Sequence, residues 1–198
     1  MARKAFETNA IGPMRLAQLV VPHMATQGGG IVVNIGSVAG NVWVSPSYHR
    51  AGLADDAAYS VTPWNGMYSS SKAAFHVMTD ALAMECSYLN KNIKVVLIAP
   101  GAVRSNIVNN AMSYELPPDS LFKQFTQVIH RRVAASQGDN AVTAEEFSRQ
   151  IVAQVLSTNP PAYISLGGFA AVFAVAHWLP RSLVRWAMRR VWNKPNES

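Results

Sequence analysis

Two short runs constrain this chain more than any other feature. "IVVNIG", residues 31–36, and "IKVVLIAP", residues 93–100, are apolar and rich in β-branched residues. Neither alternates polar with apolar side chains. Each therefore predicts a strand covered on both faces, as in a parallel sheet. The segments between and around them read as helices. Residues 5–26 carry Met14, Leu16, Leu19, Val20 and Met24 on a broad apolar face. Residues 67–89 predict a long helix. In "TAEEF", residues 143–147, Thr143 and Glu146 form a capping box that opens a helix through about Leu156. "AYISLG", residues 162–167, predicts a third strand. Helices alternating with buried strands put the chain in the α/β class, a parallel sheet with helices on both faces. Residues 43–61 break the rhythm: they have no stable period and predict an unusually long loop, either a lid over substrate or an in-frame insertion.

Composition excludes several classes. A chain of 198 residues, 49% hydrophobic and 14% charged, suits one globular domain with a sizeable core. Cys86 is the sole cysteine, so no internal disulfide forms, and it reads as packing. "MARKAFETNAIG" has charge but no apolar stretch behind it, so a reducing, cytosol-facing location is the default. Zinc-ligand spacing, a P-loop and internal repeats are absent from the sequence, and no metal is expected. The net charge of +6 is concentrated in Arg181, Arg185, Arg189, Arg190 and Lys194. That is a basic tail rather than a basic domain, which argues against a nucleic-acid partner. Residues 162–180 hold no charged group, close to the length of a bilayer span, but Gly167 and Gly168 interrupt them. After Pro180, "RSLVRWAMRRVW" mixes Arg with Leu, Val, Trp and Met at helical spacing. It predicts an amphipathic helix that either lies in a membrane surface or covers substrate or a second subunit in a homo-oligomer.

The chemistry begins with "GMYSSSKAAFHVMTDAL", residues 66–82, where Tyr68 and Lys72 stand about one helical turn apart on one face. With six tyrosines in the chain, such a match arises by chance about one time in five, so the pair alone decides little. Its surroundings decide more. One strand runs into Ser37, and the other ends in "APGAVRS". In an open α/β sheet, ligands sit beyond the carboxyl ends of the strands. Ser37, Pro100 and Gly101 fall at such ends, as does the start of the Tyr68 helix. Taken singly, each has a plainer reading: Ser37 as a turn residue, Asn9 as a polar helix position, Pro100 and Gly101 as strand stops, His76 as structural or exposed. Only the ordered combination carries the argument.

That combination is "FETNAIG" with Asn9, "IVVNIGSVAG" with Ser37, "YSSSK" with Tyr68 and Lys72, and "PGAVRS" with Pro100 and Gly101. It resembles the short-chain dehydrogenase/reductase family from residue 5 to about 110, apart from 43–61. The resemblance implies a partial Rossmann-like, doubly wound sheet, the family's C-terminal half. It makes Tyr68 the general acid of carbonyl reduction. Lys72 favours its phenolate and holds the nicotinamide ribose. Ser37 stabilises charge on the carbonyl oxygen, and Asn9 holds a water in a proton relay to Lys72. Tyr68, Lys72, Pro100, Gly101, Val103 and Ser105 are the cofactor-binding positions, Ser105 reaching the carboxamide or a phosphate. One departure matters. The family's glycine-rich turn that opens a helix onto the pyrophosphate has no counterpart here, since "TQGGGIVVN" precedes a strand. By analogy about 90 to 110 residues of the family's usual length are missing, which leaves an apolar strand edge open.

The organisation expected is a catalytic half over 1–166 and an apolar, basic tail over 167–198. The ending "WLPRSLVRWAMRRVWN", with "PWNGMYSSSKAAFH", is similar to fungal enzymes that reduce 1-acyldihydroxyacetone phosphate with NADPH. This likeness implies NADPH as cofactor, a lipid-like ketone as substrate, and the cytosolic face of the endoplasmic reticulum or a lipid droplet as location. The alternatives are a steroid, retinoid or secondary-metabolite alcohol dehydrogenase in the cytoplasm, or an inactive remnant that lacks the cofactor-binding motif.

Overall fold

A computed structural model describes residues 2–43, 58–59, 62–108, 115–176 and 178–192. Strand β1 (Gly30–Ile35) pairs in parallel with β4 (Ile93–Ile98), in register from Gly30↔Ile93 to Ile35↔Ile98. The two-residue β5 (Tyr163–Ile164) adds on the far side of β4, also parallel. The order β1-β4-β5 makes β4 the central strand. It is buried throughout except at Lys94, which explains its unbroken apolar sequence.

Helices cover both faces. One side of the sheet receives α2 (Gly12–Thr26) and the 24-residue α3 (Gly66–Leu89), whose Val21 and Cys86 pack with Val32, Ile93 and Val95. The other side receives α5 (Ala144–Val155), where Ile151 and Val155 meet Val96, Ile98 and Ile164. Alternate residues of β4 thus feed opposite cores, as the two-residue period of a strand requires. The chain has the α/β, doubly wound parallel architecture that its sequence predicts.

Several expectations change in detail. Residues 2–26 are helical, but α1 (Ala2–Phe6) and α2 are joined by a π-helical turn, Glu7–Ile11, invisible to an apolar period. The strand expected at 162–167 shrinks to two residues, because Gly168 turns back to bridge Ala102 in antiparallel fashion. Residues 43–61 are not loop throughout. Val42–Trp43 (β2) and Ala58–Tyr59 (β3) form an antiparallel ribbon, and 44–57 lie outside the described residues. Thr143 does cap α5, its hydroxyl accepting from the Glu146 amide at 3.2 Å. The apolar stretch of residues 162–180 is divided between β5, a turn and the short α6 (Ala170–Ala176). Among the described residues no helix is long and apolar enough to cross a membrane. Pro180 precedes α7 (Arg181–Trp192), the expected amphipathic helix.

Buried polar bonds tie α3 to β1. Asn34 Nδ2 donates to Thr79 Oγ1 at 2.9 Å, and Thr79 Oγ1 donates to the Phe75 carbonyl at 2.8 Å. His76 Nε2 accepts from the Ser37 amide at 3.2 Å, which requires the unprotonated ring nitrogen. The fit is close: a Cβ on Gly36 would lie 2.1 Å from His76 Nε2. Burial, reinforced by the nearby Lys72 charge, lowers the His76 pKa to about 4. In the unfolded chain a histidine titrates near 6.5. Between those values the unfolded state binds the extra proton, so stability falls as pH drops from about 6.5 to 4. The loss expected from this residue is about 3 kcal/mol. Urea midpoints across that range should fall steadily with pH in the native sequence. In His76→Gln the slope should flatten, with a lower midpoint at neutral pH. An equal slope in both proteins would remove His76 as the source.

Candidate active site

The site grows from the carboxyl end of β1. Beyond Ile35 the chain enters a single 3-10 turn, Val38–Gly40, capped by Ser37, whose Oγ accepts from the Ala39 amide at 3.2 Å. A hydroxyl engaged only as acceptor keeps its proton free for another oxygen. This turn presses on α3. A Cβ on Gly40 would lie 2.7 Å from the Lys72 carbonyl carbon and 2.8 Å from its Cβ, so only glycine permits the approach. Ser37 and the first two turns of α3, which carry Tyr68 and Lys72, are thereby locked onto one rim of the sheet. The end of β4 joins them, with the Val38 amide donating to the Pro100 carbonyl at 3.0 Å.

Lys72 reaches across that rim. Its Nζ donates to the Ile35 carbonyl at 2.8 Å and lies 6.0 Å from the centre of the Tyr68 ring. Burial lowers its pKa from the usual lysine value. Asn9 sits in the π-helical turn and donates through Nδ2 to Ser71 Oγ at 3.0 Å; Ser71 in turn donates to the Tyr68 carbonyl at 2.8 Å. Its link to the first turn of α3 is thus direct. Asn9 and Lys72 also line one groove of about 410 Å³, together with Phe75, Leu16 and the edge of β1. That edge has no partner strand among the described residues, and Val33 and Ile35 are partly exposed on it.

The remaining predicted positions separate. Gly101 stays at the rim, its amide donating to Leu166, and a Cβ there would lie 2.1 Å from the Gly168 carbonyl oxygen. Val103 is drawn into a parallel bridge with Val142. Ser105 is exposed, its amide donating to Gln137 Oε1 at 2.9 Å and its Oγ accepting from the Ile107 amide at 3.5 Å. Among the described residues no cluster suited to a metal ion occurs.

Sequence reasoning missed an aromatic cluster at the approach to Tyr68. Trp64 stands four residues before it, with φ of 66°, an uncommon conformation for a bulky side chain. Its ring meets Phe122 edge-on at 5.1 Å and stacks on Phe125 at 5.3 Å. Helix α4 (Thr126–Ala134) follows and carries Arg132, whose Nε donates to Thr62 Oγ1 at 2.9 Å. Burial lowers the Arg132 pKa, and the neighbouring Tyr68 phenol opposes that shift. Nothing in local periodicity marks Arg132, because the segments that meet here lie about 70 residues apart. His76 was legible only as structural or exposed, and its hold on the Ser37 amide emerges from the packing.

Known proteins resemble this chain in sequence and fold. The chain is 28% identical over 194 residues to "Short-chain dehydrogenase virD" of Hypocrea virens, covering 96% of this chain and 56% of the relative. It is 25% identical over 184 residues to a 3-ketodihydrosphingosine reductase of Bacteroides thetaiotaomicron, covering 92% and 61%. A solved short-chain dehydrogenase from Streptomyces avermitilis superposes with a TM-score of 0.63 at 25% identity, over 97% of this chain and 60% of that one. One from Burkholderia cenocepacia, solved in complex with NADP, gives 0.54 at 18% identity, over 95% and 60%, a likeness of fold. The chain therefore spans little more than half the length of the curated relatives it matches. The family model for short chain dehydrogenases matches residues 2–49 and 56–115, more than half of the chain. The protein belongs to the short-chain dehydrogenase family.

Proposed function

We propose that this chain carries the proton-delivering half of an NADPH-dependent reductase for a lipid-like ketone. The observation that carries the reading is the seating of Gly40 on the Lys72 backbone, which joins the Ser37 turn to the Tyr68 helix. On this reading Tyr68 gives its proton to the ketone oxygen, and Ser37 donates a hydrogen bond to the same oxygen as charge grows there. Lys72 supplies the fixed positive charge beside Tyr68, and Asn9 holds the first turn of α3 through Ser71. NADPH, when bound, supplies the hydride. The donor set at the nicotinamide end suits that group: the Lys72 ammonium and the Asn9 amide line one groove beside the open edge of β1. No residue of this sequence fits the pyrophosphate end, since a glycine-rich turn opening a helix does not occur in it.

The substrate class rests on two supports. The Bacteroides relative is named for a keto lipid, and the wall beside Tyr68 is aromatic, formed by Trp64, Phe122 and Phe125. The specific reaction proposed is reduction of 1-acyldihydroxyacetone phosphate to 1-acylglycerol 3-phosphate. Helix α7 fits a membrane partner. Leu183, Trp186 and Val191 are exposed on it beside Arg185, Arg189 and Arg190, the last lying 4.5 Å over the Trp186 ring. No Asp or Glu occurs between Glu146 and Glu197, which suits an anionic lipid surface such as the cytosolic face of the endoplasmic reticulum.

NADPH fluorescence titration of the chain tests this reading: saturable binding supports it, and no binding removes catalysis by these 198 residues alone. In the active protein Tyr68→Phe should lower kcat by about 100- to 10,000-fold with folding intact. Retained turnover would remove Tyr68 from the mechanism. Sedimentation with vesicles should show binding that requires phosphatidylserine beside phosphatidylcholine. Replacing Arg185, Arg189 and Arg190 together with Ala should weaken it about 100-fold, at about 1 kcal/mol per arginine.

A further inference from the structure

We infer that Arg132, with the indole N–H of Trp64, forms an anion-recognition site that receives a phosphate on the ketone substrate. The inference rests on the preceding reading of Tyr68 as proton donor to that ketone and adds what else the substrate carries.

Three observations fall on Arg132 and on Trp64, which are tied through Thr62, two residues before Trp64. First, Arg132 is a half-buried cation clamped at one end only. Its Nε is spent on Thr62, while its two terminal nitrogens have no hydrogen-bond partner among the described residues. The ion pairs found among the described residues, Arg15–Glu7 and Arg149–Glu146, do not involve it. A guanidinium presents a planar fork matched to the oxygens of phosphate or carboxylate. Second, Trp64 Nε1 is a buried donor with no acceptor among the described residues. Leaving such a group unmade costs about 1–3 kcal/mol, a cost a ligand oxygen removes. Third, the backbone of Trp64 sits at φ 66°, a strained conformation held by the clamp of its ring between Phe122 and Phe125. Strain and an unsatisfied donor thus fall on one residue, in the segment that leads directly into α3.

The chemistry of the ligand follows from the donors. Arginine and tryptophan can only donate, so the group between them brings acceptors. The aromatic wall beside it takes apolar surface. An amphiphile with an acyl chain, a ketone and a phosphate meets all three demands. A neutral steroid or retinoid leaves the arginine fork unanswered.

The test compares 1-palmitoyldihydroxyacetone phosphate with the same molecule lacking the phosphate, each titrated into the full chain by calorimetry. The native chain should prefer the phosphorylated ketone by about 10-fold or more, the scale of charge-assisted hydrogen bonds. Arg132→Gln should bring that ratio near one. Arg132→Lys, which keeps the charge on a stem of similar length, should retain part of the preference. No preference in the native chain, a preference that survives Arg132→Gln, or equal loss in both variants would overturn the site. A fall in affinity for both ketones at an unchanged ratio would overturn it too, making Arg132 a partner of Tyr68 alone. Reduction of neither ketone by NADPH, with the binding preference intact, would sink the reductase reading and leave the anion site standing.

Discussion

The seating of one glycine on a helix backbone organises this molecule. Gly40 meets Lys72 at a separation no side chain allows, and everything proposed for the site inherits its geometry from that contact. The 3-10 turn after β1 cannot slide along α3 without displacing Ser37, and α3 cannot rotate without carrying Tyr68 and Lys72 away. The buried bonds from Asn34 to Thr79 and from the Ser37 amide to His76 fix the same two elements from within. Close approach and polar satisfaction act together: the first sets the distance, the second the rotation.

The charges around Tyr68 follow a consistent logic. Lys72, on α3, lies 6.0 Å from the centre of the Tyr68 ring, and Arg132, on α4, bonds Thr62 six residues before Tyr68. His76 lies in the same neighbourhood but stays neutral, because burial and Lys72 both oppose a further cation. Two fixed cations and one neutral ring favour anionic groups in this neighbourhood. The open groove along β1 is of a different kind. It is mainly backbone edge and aliphatic surface, with the Asn9 and Lys72 side chains as its polar end.

Much of the fold was legible because β4 is covered on both faces, which leaves its apolar run nearly unbroken; β1 reads as equally apolar, yet Val33 and Ile35 are exposed on one of its faces, a difference set by which elements pack there and not by its own sequence. The helix starts were legible where a cap marks them, as at Thr143. The π-helical turn at Glu7–Ile11 was not, since its apolar pattern barely differs from that of an α-helix, yet it is the turn that holds Asn9. The third strand was read too long because its end is decided by a bridge from Gly168 to Ala102, 66 residues distant. The same limit hid the aromatic wall. Trp64, Phe122, Phe125 and Arg132 share no spacing that marks a common surface.

By itself, the sequence determined that helices alternate with buried parallel strands, and that Ser37, Tyr68, Lys72 and Pro100 lie at strand ends or a helix start. Those properties are written in periods of two and 3.6 residues and in short motifs, which need no distant partner. Only the tertiary structure decided that Gly40 seats the Ser37 turn on Lys72, that His76 stays unprotonated, and that Arg132 reaches Thr62 just before the Tyr68 helix. Distances across a packed interior depend on how close backbones come and which polar groups lose water, and neither is a property of any local stretch of chain.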